Sequence, residues 1–284
     1  MHGADQPVNF AKLHGAGNDF LLFDGSADPT LRGCLPSVVR RLCHRHLGIG
    51  ADGVLVLEPV GEDEARLTYW NADGSDAAFC LNATRCAARF AAVRWGWAHM
   101  VLHTGYAAIR AEVRGAGITL ALPAPTAVAS WCELVASEQH VRGRYLVVGV
   151  PHLIVPAEWP DFWTRPLAPL AATLRSHPEL PEGGANVTFV LVQDGELAAR
   201  SWERGVEGET LSCGSGDVAA ALVAVAEGWL GSPVAVRTAS KRVLLVEPDG
   251  DPPTCPSRLT GPAEWVADGT INREWLAALR MPPT

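Results

Sequence analysis

Two cysteines stand at corresponding places in this chain. Cys80 precedes the run LNATRCAARFAAVRWGW, and Cys213 precedes GSGDVAAALVAVAEGWL. Both runs are rich in alanine and aliphatic residues and close on a Gly-Trp pair, Gly96-Trp97 and Gly228-Trp229. Aligned cysteine on cysteine, they also match at the acidic residues Asp76 and Glu209. The offset of 133 residues (213 − 80) is close to half of the 284-residue chain. A thiol at the start of a helix meets unpaired backbone N–H groups and a partial positive charge. Such an end attracts carboxylates and raises the thiolate fraction of a cysteine beside it. Two such mouths facing one another would hold an anion and place an acid–base sulfur on each side of one carbon. The chemistry predicted is movement of a proton from one face of that carbon to the other.

Positioning two thiols in this way requires two similar half-domains. The expected fold is α+β, with two pseudo-symmetric domains, each a set of mostly antiparallel strands wrapped around one central helix. Strands are predicted over Phe20–Asp24, Gly53–Pro59, Ala65–Asn71, Met100–His103, Ala107–Val113 and Ile118–Leu122, then Tyr145–Pro156, Asn186–Gln193 and Leu197–Trp202. A hairpin over Val234–Thr238 and Arg242–Val246 follows the second helix. The linker signal Leu122-Pro-Ala-Pro-Thr126 divides the chain into 1–123 and 124–284, with the segment from about 262 to 284 returning to the first domain. A short helix is predicted over Pro36–Leu47, and 156–181 reads as helix with loops.

Composition narrows the function. The net charge is −8 without a basic block, which excludes nucleic acid and anionic membrane as expected partners. No apolar stretch approaches the ~20 residues of a membrane helix, and the first residues carry no secretory pattern; a cytoplasmic location is expected. Seven cysteines without a C-x-x-C pair suggest neither a disulfide framework nor a zinc site. Cys34, Cys43, Cys86, Cys132 and Cys255 read as small buried apolar residues. Asp19, Asp73 and Asp76 read as turn or capping residues, and His14 as a brace.

Several separate segments resemble the diaminopimelate epimerase family. They are Phe10–Phe20 (FAKLHGAGNDF), Gly48–Leu55 (GIGADGVL), Asn71–Ser75 (NADGS), Asn186–Phe189 (NVTF), Glu203–Gly205 (ERG), Gly208–Gly216 (GETLSCGSG) and Leu259–Ala263 (LTGPA). The resemblance implies an isomerase without pyridoxal phosphate or metal that interconverts LL- and meso-diaminopimelate, on the route to lysine and peptidoglycan. It implies that Cys80 and Cys213 act as thiolate base and thiol acid, with His152 and Glu203 positioning or deprotonating them. Backbone N–H groups of Leu81, Asn82, Gly214 and Ser215 would hold the reacting carboxylate. Asn18 and Glu203 would take the ammonium, and Asn71, Asn186 and Arg204 the distal amino-acid head. The expected partner is a small amino-acid substrate, and relatives commonly form homodimers.

The chain departs from the family pattern at Leu81-Asn82-Ala83, where Gly-Asn-Gly is usual, and at Val150, where many relatives carry Asn. Glu207 lengthens the loop before Cys213. Leu81 and Ala83 either extend the helix or reshape the pocket floor. These departures leave open a racemase for another amino acid. A silent ligand-binding relative and a redox switch through a Cys80–Cys213 disulfide are further alternatives.

Overall fold

The computed structural model describes residues 8–27, 38–77 and 79–278. The chain divides into two compact units, one of residues 1–118 and 262–284 and the other of 119–261.

In unit 1, β1 (Val8–Gly15) pairs antiparallel with β2 (Asn18–Asp24), and β2 runs parallel to β3 (Gly53–Gly61). β3 is antiparallel to β4 (Glu64–Asn71), β4 parallel to β5 (His99–His103), and β5 antiparallel to β6 (Ala108–Arg114). A short helix, α1 (Val39–Cys43), lies between β2 and β3, and α2 (Leu81–Trp95) follows β4. α2 packs against β1 through β6, so the strands wrap around it. β7 (Gly117–Leu122) runs across the division between the units.

Unit 2 repeats the ladder. β8 (Ala127–Ala136) and β9 (Gln139–Val148) are antiparallel, as are β9 and β10 (Val150–Pro156). After α3 (Ala168–Arg175), β10 runs parallel to β11 (Asn186–Gln193), and β11 antiparallel to β12 (Glu196–Glu203). The short β13 (Gly208–Thr210) folds back on β12. α4 (Gly214–Ala226) then leads to β14 (Val234–Arg237), parallel to β12, and to the antiparallel β15 (Val243–Pro248) and β16 (Ser257–Pro262). From β1 to β6 and from β9 to β15 the pairing alternates antiparallel and parallel in the same order, with the cysteine helix inserted at the same step. The chain closes with β17 (Glu264–Ile271), paired to β1, and α5 (Arg273–Ala278).

Burial explains the placement of the elements. Val54, Val56, Leu21, Phe23 and Ile271 form a core cluster on unit 1, and Leu153, Phe162, Leu174, Val187 and Phe189 one on unit 2. Trp159, Trp163 and Trp202 pack against the second cluster, as packing residues should.

Four readings are corrected. Tyr145–Pro156 is not one strand, because Gly149 takes φ +71° and folds Val148 back against Val150. The division falls at 118/119, ahead of the Pro-rich linker, because Thr119 already bonds the Thr260 hydroxyl at 2.9 Å. Cys132 is only half-buried, its thiol donating to the Gly143 carbonyl at 3.3 Å. Asp19 belongs to an ion-pair network, described below. Cys34 and the start of the predicted Pro36–Leu47 helix lie outside the described residues.

Candidate active site

In unit 1 Cys80 is the N-cap of α2, extended at φ −155° and ψ 116°, and its sulfur accepts the Ala83 N–H at 3.5 Å. Thr84 secures the turn, its N–H and its hydroxyl both reaching the Cys80 carbonyl at 2.9 Å. Gly96, left-handed at φ 77°, ends the helix. Leu81 and Ala83 are helical, so no left-handed backbone penalty arises where the glycines are lost, and both are buried.

Asn18 opens β2 beside this mouth. Its Oδ1 accepts from the Cys80 thiol at 3.6 Å and from Asn82 Nδ2 at 3.3 Å. Its Nδ2 donates to Asp52 at 2.9 Å. Asn82 Oδ1 in turn accepts from the fully buried Arg85 at 2.6 Å. Asn71 ends β4 opposite Gly53, the residue after Asp52, and its amide donates to the Ser75 hydroxyl at 3.0 Å.

In unit 2 Cys213 caps α4 from an extended conformation, and Asp217 N–H closes the first turn on its carbonyl at 2.8 Å. Ser215 Oγ lies 3.8 Å from Cys213 Sγ and 2.9 Å from His152 Nε2. His152 Nδ1 is buried and has no hydrogen-bond partner among the described residues. A buried bare lone pair is tolerated better than a buried bare N–H, which assigns the ring proton to Nε2. His152 then donates to Ser215, whose hydroxyl is free to donate to a thiolate at Cys213 or to accept from its thiol. Burial, reinforced by the Arg204 charge, pushes the His152 pKa down to about 3, so the ring is neutral.

Burial also pushes the Cys213 thiol well up, with Glu203 and Asp217 adding to it and the Gly216 N–H and Ser215 opposing. The helix mouth alone therefore does not make Cys213 a ready thiolate, contrary to the expectation from helix position; desolvation outweighs it. The Glu203 carboxylate accepts the Thr210 hydroxyl. Asn186 Oδ1 accepts the Arg204 N–H at 2.8 Å, and the Arg204 side chain reaches the Gly183 carbonyl at 3.4 Å. Glu207 is more than a loop insertion, since its carboxylate holds Arg175 at 2.8 Å and the Gly205 N–H at 3.1 Å.

The structure thus groups Asn18, Cys80 and Asn82 in unit 1, and His152, Cys213 and Ser215 in unit 2. Gly214 opens α4 next to Cys213, and Asn186, Glu203 and Arg204 gather at the β11–β12 ends. A family model described as diaminopimelate epimerase matches residues 10–100 and 144–266. The chain belongs to the diaminopimelate epimerase family. The diaminopimelate epimerase of Gemmatimonas aurantiaca is 37% identical over 255 residues, 88% of this chain and 90% of that one. That of Aquifex aeolicus is 35% identical over 283 residues, 95% and 99% of the two chains. Among solved structures, a predicted epimerase from Pseudomonas aeruginosa superposes with TM-score 0.70 at 17% identity, over 93% of this chain and 99% of that one. A hydroxyproline epimerase from Agrobacterium vitis, with bound trans-4-hydroxy-L-proline, does so with TM-score 0.67 at 15% identity, over 94% and 92%. These two likenesses show the α+β fold shared with this family member.

Sequence reasoning missed the groups behind the Cys80 mouth. Asp19 accepts from Arg45 at 2.7 and 3.1 Å and pairs with Lys12 at 2.6 Å. Burial alone would raise its pKa, but the hydrogen bonds from Arg45 and Lys12 win and hold it at about 2. Arg45 also reaches Asp52 at 2.7 Å. Asp52 lies inside Gly48–Leu55, a segment that carries the family resemblance, and that was its one sequence signal.

Proposed function

We propose that this protein is a pyridoxal-independent epimerase interconverting LL- and meso-diaminopimelate by a two-base thiol mechanism, in the cytoplasm, for lysine and peptidoglycan precursor synthesis. The observation that carries the reading is a cysteine at each helix mouth, supported by side chains suited to opposite protonation states. A thiolate removes the α-proton and becomes a thiol; the other thiol gives its proton to the opposite face and becomes a thiolate. A single base would return the proton to the face it came from.

The developing carbanion is stabilised as an enolate-like carboxylate by backbone N–H groups of Leu81, Asn82, Gly214 and Ser215, which act more strongly as charge builds. Asn18 and Glu203 hold the ammonium. Arg204 pairs with the distal carboxylate, and Asn71 and Asn186 complete that end. A homodimer is the assembly proposed, from the habit of relatives.

The test is α-proton exchange in deuterated water over a panel of amino acids, with LL-diaminopimelate included. Solvent deuterium should enter diaminopimelate, and the Cys80→Ala and Cys213→Ala variants should each lose epimerisation. Activity surviving both single changes would sink the two-thiol mechanism. A second reading, the same chemistry on another amino acid, is favoured by Val150, half-buried at the start of β10 where many relatives carry Asn. Faster turnover of a substrate without a distal carboxylate would establish it.

A further inference from the structure

We infer that Asp52 and Arg85 are positioning residues that fix the direction of a chain of two side-chain amides and so present the carbonyl oxygen of Asn18 to the Cys80 thiol. The catalytic use of that arrangement rests on the epimerase reading; the orientation itself does not.

An amide side chain can be turned either way, and only its partners decide which end is which. Here both ends of the chain are decided. Arg85 carries donors only, and it donates to Asn82 Oδ1 at 2.6 Å. That turns Asn82 Nδ2 toward Asn18 Oδ1, at 3.3 Å. Asn18 Nδ2 then points to the Asp52 carboxylate, at 2.9 Å. The Asp52 carboxylate is an acceptor in every contact it makes there, receiving also Arg45 at 2.7 Å and the Asp19 N–H at 3.2 Å. Asp52 is seated in turn by its own N–H, which donates to the Asp19 carboxylate at 3.0 Å.

The direction matters at the sulfur. Cys80 Sγ lies 3.6 Å from Asn18 Oδ1, an acceptor, which favours S–H. The Ala83 N–H on the other side, at 3.5 Å, favours the thiolate. Turning the Asn18 amide over would replace that acceptor with an N–H donor. The chain therefore holds Cys80 ready as the acid until substrate arrives and Asn18 exchanges partners. Ionisable groups on the surrounding elements of unit 1 include Lys12 and His14 on β1, Asp19 and Asp24 on β2, Arg45 and Asp52 before β3, Arg85, Cys86, Arg89 and Arg94 on α2, and Glu264 and Asp268 on β17.

The experiment is alkylation of the substrate-free, full-length protein by iodoacetamide across pH, with the modified peptides resolved by mass spectrometry. In Asp52→Asn the acceptor-only end is lost and both amide orientations become available. Cys80 should then react at least about fivefold faster at neutral pH, since a hydrogen bond to a charged group is worth about 1.5–3 kcal/mol. Asp52→Glu should restore the wild-type profile. Asp52→Ser, too short to reach Asn18, gives the same reading if the Asn variant does not fold. Asp19→Asn removes the neighbouring charge while keeping an amide oxygen to accept the Asp52 N–H, and should change the Cys80 rate by less than about twofold, against the tenfold that about 1.4 kcal/mol brings. An unchanged Cys80 rate in Asp52→Asn overturns the proposal. So does an equal increase in Asp19→Asn, or an effect that vanishes in about 0.5 M salt, because long-range charge is screened and amide orientation is not. Absent epimerase activity in the wild type with the alkylation pattern intact would sink the function and leave the orientation standing.

Discussion

At the residue scale the two cysteines are held by opposite kinds of neighbour. Cys80 meets the carbonyl oxygen of Asn18, and Cys213 meets the hydroxyl of Ser215, itself held by His152. A hydroxyl within reach of the sulfur can donate to a thiolate once it forms, against a strong desolvation penalty. Ser215→Ala should therefore slow epimerisation by about tenfold or more, the worth of a hydrogen bond to a charged group, with the alkylation pKa of Cys213 raised. Equal rates for the variant and the wild type would remove Ser215 from the chemistry. His152 also couples the site to stability. Its folded pKa, about 3, lies below the unfolded value near 6.5. The stability gained by keeping the ring neutral is complete above about pH 6.5 and drains away as pH falls toward 3. Asp19, held at about 2, yields its share only below about pH 4. Between about pH 6.5 and 4 the Tm of the wild type should fall, and that of His152→Gln should stay flatter. Parallel curves would disprove the coupling.

At the element scale, glycine separates packing from backbone strain. A Cβ on Gly216, in the first turn of α4, would stand 2.6 Å from Thr188 Oγ1 and 3.3 Å from His152 Nδ1. The helix mouth must then move off β10 and β11, carrying Cys213 and Ser215 with it. Gly216→Ala should lose about 1–3 kcal/mol and most of the activity. Gly96 has φ +77°, and a Cβ added there would meet nothing within 4 Å, so Gly96→Ala costs only about 1 kcal/mol of backbone strain and leaves kcat intact. Melting curves beside initial rates decide it; similar activity in the two variants would refute the distinction. The helix mouths were legible in the sequence because capping residues, apolar runs and closing glycines are local signals. The hairpin at Gly149 was not, since Tyr145–Pro156 is β-prone throughout and one glycine reverses it. The Asp19–Asp52 pairing was illegible for another reason. Its partners are far apart in sequence, and the parallel β2–β3 register brings them side by side. Isolated acidic residues in Gly-rich segments look like turn residues until that register is known.

At the scale of the whole molecule the duplication is completed by the chain's end. β8 flanks β9 in unit 2, and the strand that flanks β1 in the same antiparallel way is β17, from the far end of the chain. The return segment is tied in by α2. Arg85 Nε donates to the Pro262 carbonyl at 3.3 Å and Arg89 Nε to the Ala263 carbonyl at 3.3 Å. Trp265 stacks on Phe90 at 5.8 Å and 7°, and the Arg94 guanidinium lies 5.0 Å from the same indole ring. Arg85 thus serves both the closing segment and, through Asn82, the amide chain behind Cys80. Removing residues 262–284 would bare the edge of β1 and deprive the buried Arg85 guanidinium of an acceptor, a loss that is expensive for a buried charge. Hydrogen exchange should then quicken in β1 and α2, while β10 and α4 of unit 2 keep their protection. Cys80 should lose its distinctive alkylation profile in the same truncated chain. Unaltered exchange in α2 would mean that unit 1 closes without its borrowed strand, and that the tie between chain end and thiol is incidental.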